Sequence, residues 1–165
     1  MNTYLLTWNP KYWEWSDLPE WIDRIAATGS EISKWSCGNT LRIMKGDTVF
    51  LLRQGIEPRG ICGAGTAISD VFEEPHWSLD KAGKMARYVL VKWEVLLDSE
   101  TESIFPREWL NTPALSGVNW NTQISGIRIN DNIALELSRR WTEFLNRRQI
   151  PLTLFSKTKQ TRNRI

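Results

Sequence analysis

Thr48-Val49-Phe50-Leu51-Leu52-Arg53-Gln54-Gly55-Ile56-Glu57-Pro58-Arg59-Gly60-Ile61-Cys62-Gly63-Ala64-Gly65-Thr66-Ala67-Ile68 reads as two strands and the turn between them, with no helix separating them. The run Thr48 to Leu52 has the unbroken apolar character of a strand buried on both faces. Gln54 to Arg59 turns around Gly55 and Pro58. Gly60 to Ile68 is a strand punctuated by glycines, which predicts a bulge, a barrel corner or a neighbour packed close against the backbone.

Working outward, Lys45-Gly46-Asp47 is a turn, and Glu31 to Trp35 reads as extended. Tyr4-Leu5-Leu6-Thr7 is a short buried strand that Trp8-Asn9-Pro10 ends. Between these lies a helix with Leu18, Trp21, Ile22, Ile25 and Ala26 on one stripe, capped by Ser16 or Asp17, with Pro19 in its first turn and Gly29 past its end. Downstream, Asp70 to Gly83 reads as a polar loop, Arg87 to Leu97 as the longest strand, and Phe105 to Leu110 as a helical turn. Ser116 to Gly126 is loop-like. From Asn130 to about Arg148 an amphipathic helix places Ile133, Leu137, Trp141, Phe144 and Leu145 on one face. Strands that follow one another without alternating helices fit a doubly wound parallel sheet less well and predict an α+β fold, a small mixed or antiparallel barrel with a helix near each end.

The 165 residues suffice for one domain, expected over 1–150, followed by a basic tail over 151–165. Lys157, Lys159, Arg162 and Arg164 stand in that tail with no acid to balance them, which suits either a solvated end or an arm that tracks phosphates. A net charge of +2 permits a polyanionic partner without demanding one. The two cysteines, Cys37 and Cys62, lack a CxxC spacing, and the start of the chain has no secretory pattern; a reduced, cytoplasmic protein is expected. No run reaches the ~18 apolar residues of a membrane span.

Tryptophan is the outlier, at ten residues, and it decides where function is sought. In Lys34-Trp35-Ser36-Cys37-Gly38-Asn39-Thr40 a flat ring is followed at once by a hydroxyl, a thiol and a carboxamide. A stacking surface beside hydrogen-bonding groups suits a planar polar ligand such as a nucleobase. Ser36, Cys37 and Asn39 can meet a base edge through hydroxyl, backbone amide and carboxamide, although Asn39 can equally close a turn. Trp8 with Asn9 marks a strand end that opens onto a site or plugs the barrel mouth. Trp120 lies in a polar loop whose Gln123 and Ser125 can read base edges. Arg53 and Arg59 flank the glycine-proline turn, where they can grip phosphate or serve as ion-pair partners. Trp21, Trp93 and Trp141 fall on apolar faces and read as core.

Taken together, Tyr4-Leu5-Leu6-Thr7-Trp8-Asn9-Pro10, Trp35-Ser36-Cys37-Gly38-Asn39, Gly46-Asp47, Phe50-Leu51-Leu52-Arg53-Gln54-Gly55, Pro58-Arg59-Gly60, Pro75-His76-Trp77 and Asn119-Trp120-Asn121 with Gln123, Ser125 and Gly126 resemble the EVE domain, a relative of the YTH domain in the PUA-like superfamily. The resemblance implies a PUA-like β-barrel that binds nucleic acid and holds an extruded, often methylated base in an aromatic cage, with Trp35 as one wall. It also resembles reader modules fused to nucleases in modification-dependent restriction enzymes. Nothing after residue 150 reads as a nuclease, so a partner nuclease is expected to be encoded separately. The expected ligand is DNA carrying modified bases, and next to it RNA.

Two other classes compete. A small enzyme acting on a nucleotide or amide would use Cys37 as nucleophile or a metal near His76, the only histidine, beside Glu73 and Glu74. No further ligand stands at metal-binding spacing, and Gly63-Ala64-Gly65 is no dinucleotide fingerprint, so neither metal nor cofactor is expected. A protein-interaction module would use the same exposed tryptophans.

Overall fold

The structure is a computed structural model and describes residues 1–148. The basic tail expected over 151–165 lies outside the described residues. The strands are β1 (Thr3–Trp8), β2 (Glu31–Ser36), β3 (Thr48–Arg53), β4 (Gly60–Ala67), β5 (Phe72–Pro75), β6 (Met85–Leu96), β7 (Phe105–Pro106) and β8 (Ile127–Ile129). The α-helices are α1 (Leu18–Thr28), α2 (Arg107–Leu110) and α3 (Asp131–Arg148). Together they make one mixed sheet ordered β2-β6-β4-β3-β1-β8, with β5 paired to β6 and β7 to β4. Only β1 and β3 pair in parallel among the described strands; the other ladders are antiparallel. The α+β class and the mixed sheet agree with the sequence reading.

β3 lies between β1 and β4, and Val49 to Arg53 are buried, as an unbroken apolar run requires. α3 covers the sheet with the expected stripe: Leu137, Trp141 and Phe144 are buried, and the Trp141 ring meets Phe50 edge to face at 6.1 Å. The β4 glycines stand where the backbone is crowded. Registers shift at Leu51/Leu52 and at Ala64/Gly65, and a Cβ on Gly65 would lie 2.3 Å from the Lys92 carbonyl oxygen.

The curl stops short of a closed ladder. β2 and β8 end the sheet without pairing, and loops bring the two ends together instead. Ser125 Oγ donates to the Ser36 carbonyl at 2.8 Å and accepts the Thr7 N–H at 3.1 Å. Gly38 and Gly126, both at positive φ, allow this approach, because a Cβ on Gly126 would lie 2.1 Å from the Cys37 carbonyl oxygen.

Two local expectations differ. Asp17 precedes α1 but makes no side-chain cap; its carboxylate accepts the Trp21 indole N–H at 2.9 Å. The polar loop from Asp70 to Gly83 contains β5, which pairs Phe72 to Pro75 with Tyr88 to Met85 and builds a hairpin that rises beside β2. Among the described residues no helix is long and apolar enough to cross a membrane.

Candidate functional site

The meeting of the two sheet ends leaves a cleft of about 1050 Å³. Five pieces of chain wall it: the end of β1 with the loop after it, Trp21 of α1, the end of β2, the β5–β6 hairpin, and the segment around Gln123 to Ser125.

Trp35 is at its back, 8% exposed, with its indole N–H held by the Thr7 carbonyl at 3.1 Å. Its neighbours are rings, Trp13 at 5.5 Å, Trp15 at 5.1 Å and Trp93 at 5.6 Å. These edge-to-face and tilted contacts hold the Trp35 plane still. Trp13 itself is 37% exposed and lines the cleft, as do Trp8 and Trp21. Ser36 and Asn39 also line it, and the Asn39 carbonyl accepts from Arg87 Nη1 at 2.6 Å. Asn9 and Gln123 face the same space and bond to each other at 3.1 Å.

Several expected ligand groups are spent on the fold. Cys37 is buried, its N–H donates to the Arg87 carbonyl at 3.0 Å, and burial pushes its thiol up to about 11. It meets no base edge and supplies no thiolate nucleophile near neutral pH. Trp120 is 4% exposed and donates to the Leu115 carbonyl at 3.0 Å, so it is core and not a cleft wall. The Ser125 hydroxyl, although beside the cleft, joins β1 to β2 and is not free to read a base. Arg53 is 9% exposed; its Nη1 donates to the Ile56 and Pro58 carbonyls, both at 2.6 Å, and its guanidinium lies 5.4 Å from the centre of the Trp8 ring. Arg59 folds back on the Gly55 carbonyl and Glu57. Both arginines brace the 54–59 turn, the structural alternative to a phosphate grip, and neither lines the cleft.

The hairpin supplies what the sequence reading left out. Trp77 is 50% exposed, lines the cleft and stacks on His76 at 5.5 Å. Tyr88 anchors it by accepting the Trp77 N–H at 2.9 Å and donating to the Pro75 carbonyl at 3.2 Å. His76 Nδ1 accepts the Ser78 N–H, and partial burial, with the charges of Lys81 and Lys84, holds the imidazole below its ordinary pKa. Lys34 is tied to Glu74 at 2.5 Å. Lys81 and Lys84 line the cleft with no ion pair among the described residues. The sequence signal is the Pro75-His76-Trp77 triplet, which reads as a loop motif with His76 hydrogen-bonded and Trp77 packed over it, as the structure has it, and carries no mark of facing a cleft. Among the described residues no group of three or more His, Cys, Asp or Glu side chains is placed to hold a metal.

No family model matches the chain, and no curated protein matches it at a significant level. Solved structures do. A hypothetical protein from Leishmania major shares 16% identity over 88% of this chain and 97% of its own, with a TM-score of 0.59. A Pseudomonas syringae protein shares 14% over 84% and 99%, with a TM-score of 0.55. The human THYN1 protein, solved in complex with 5-methylcytosine containing DNA, shares 10% over 83% and 95%, also with a TM-score of 0.55. The chain shares its fold with these structures. Each likeness spans nearly the whole of the other chain.

Proposed function

We propose that this chain is a non-catalytic nucleic-acid reader that takes an extruded, modified base of DNA, and next to it RNA, into the cleft that Trp35 and Trp77 line. The observation that carries the reading is the cleft itself, whose lining brings together Trp35 held among other indoles, the half-exposed Trp77 of the β5–β6 hairpin, and Lys81 and Lys84. The shared fold with human THYN1, solved with 5-methylcytosine containing DNA, supports it, as does the resemblance to the EVE domain. The burial of Cys37 favours binding over nucleophilic chemistry.

Extruding a base costs a few kcal/mol. Stacking returns roughly 1–3 kcal/mol per base, and each added methyl removes apolar area worth about 0.8 kcal/mol, which is preference rather than absolute choice. Lys81 and Lys84 supply about two phosphate contacts and hence a shallow salt dependence, near −2 in log K against log salt. Trp77→Ala should weaken binding of a methylated oligonucleotide roughly tenfold to a hundredfold while leaving the melting temperature in place, because half the ring is already in water. Fluorescence anisotropy against methylated and plain oligonucleotides checks this. Unchanged affinity in the folded variant would remove the cleft as the binding site.

A further inference from the structure

The tip of the β5–β6 hairpin carries an apolar side chain that the fold does not use. Leu79 is 91% exposed, and among the large apolar side chains of the described residues only Met1 is more so. A lone exposed leucine needs no explanation, but the position of this one is specific. Trp77 before it and Lys81, Lys84 and Met85 after it line the cleft, whereas Leu79 does not. It lies next to the lining without entering it, two residues from the half-exposed Trp77.

Backbone hydrogen bonds order the tip. The Lys81 N–H donates to the Ser78 carbonyl, the Ala82 N–H to the Leu79 carbonyl and the Lys84 N–H to the Lys81 carbonyl, each at 3.1 Å. The His76 N–H closes the loop onto the Lys84 carbonyl at 2.8 Å. A side chain presented on such a turn needs little further ordering of the backbone when it binds. Lys81 and Lys84 make no ion pair among the described residues, and exposed Asp80 offsets one of their charges.

We propose that Leu79 is a wedge: as a base of a DNA duplex enters the cleft, the leucine fills the place that base leaves in the stack, with Lys81 and Lys84 against the neighbouring phosphates. This rests on the reader function above. Extrusion leaves the two flanking bases with bare faces, and an inserted aliphatic side chain covers them and blocks the return of the extruded base. Two residues span at most about 7 Å, and bases along one strand rise by about 3.4 Å. Trp77 and Leu79 therefore stay within about two base steps of each other, close enough to serve one extruded base and the gap it leaves. A single strand presents its base without leaving a gap inside a duplex, so the wedge acts on duplex DNA alone.

Duplex and single-stranded oligonucleotides carrying 5-methylcytosine in the same sequence, titrated with the full chain by fluorescence anisotropy, make the test. Leu79→Ala should weaken duplex binding about tenfold and leave single-strand binding within about twofold, and Leu79→Phe should restore the duplex. Both substitutions should keep the melting temperature, since the side chain is already in water. Equal loss on the two forms, or duplex affinity unmoved by Leu79→Ala, overturns the wedge while leaving the reader standing, as does a wild type that binds the single strand alone. A folded wild type that binds neither form overturns both.

Discussion

Trp120 and Trp35 show why residue identity and sequence neighbours do not settle a ring's role. Trp120 is flanked by Asn119, Asn121 and Thr122, yet its carbonyl and that of Thr122 are gathered by buried Gln54, at 2.8 and 3.0 Å, and its ring is drawn into the core. Trp35 precedes an equally polar loop and does reach the cleft, because it ends a strand at the sheet's edge. Arg53 reads as a phosphate ligand until its guanidinium is seen to satisfy the carbonyls of its own turn. Polar partners contributed from distant parts of the chain, as Gln54 is to Trp120, leave no local mark in sequence. Trp120→Ala should therefore lower stability by about 3–5 kcal/mol, as for other emptied aromatic core sites, without changing the affinity of the protein that remains folded. Urea unfolding monitored with binding at matched folded fraction separates the two effects.

At the scale of elements, the reading succeeded where one pattern ran long and failed where it was short. The stripe of α3 and the glycines of β4 announced their packing, since periodicity and missing side chains are local properties. β5 is four residues of Phe72-Glu73-Glu74-Pro75, an edge strand whose composition is that of a loop, and only pairing with β6 makes it a strand. α3 also carries a titratable clamp. Hydrogen bonds from Arg139, then Arg140, hold the Glu136 carboxyl down at about 2. A carboxyl depressed in the folded state adds stability that is complete above its unfolded value of 4.5 and lost as pH falls toward about 2. Melting temperatures across that interval should fall less steeply for Glu136→Gln than for the wild type, and the two curves should converge at its acid end. Parallel curves would show that the clamp does not act on folding.

For the whole molecule, the sheet is open, its two ends are tied by Ser125, and the cleft is the space left where they meet. The α+β class and the strand order in sequence were legible; the cleft was not, because residues 7–13, 34–39, 76–88 and 123–125 converge only after the sheet has curled. This arrangement gives a buried aromatic wall, a hairpin with a half-exposed indole, and cations beside it, the features on which the proposed reading of an extruded base rests. The most direct measurement is the fluorescence of 2-aminopurine placed next to a 5-methylcytosine in duplex DNA. A rise on adding wild-type protein, absent with Trp77→Ala, is the expected result, since removing the neighbour from the stack frees the probe. Tight binding with no change in that fluorescence would contradict base extrusion into the cleft.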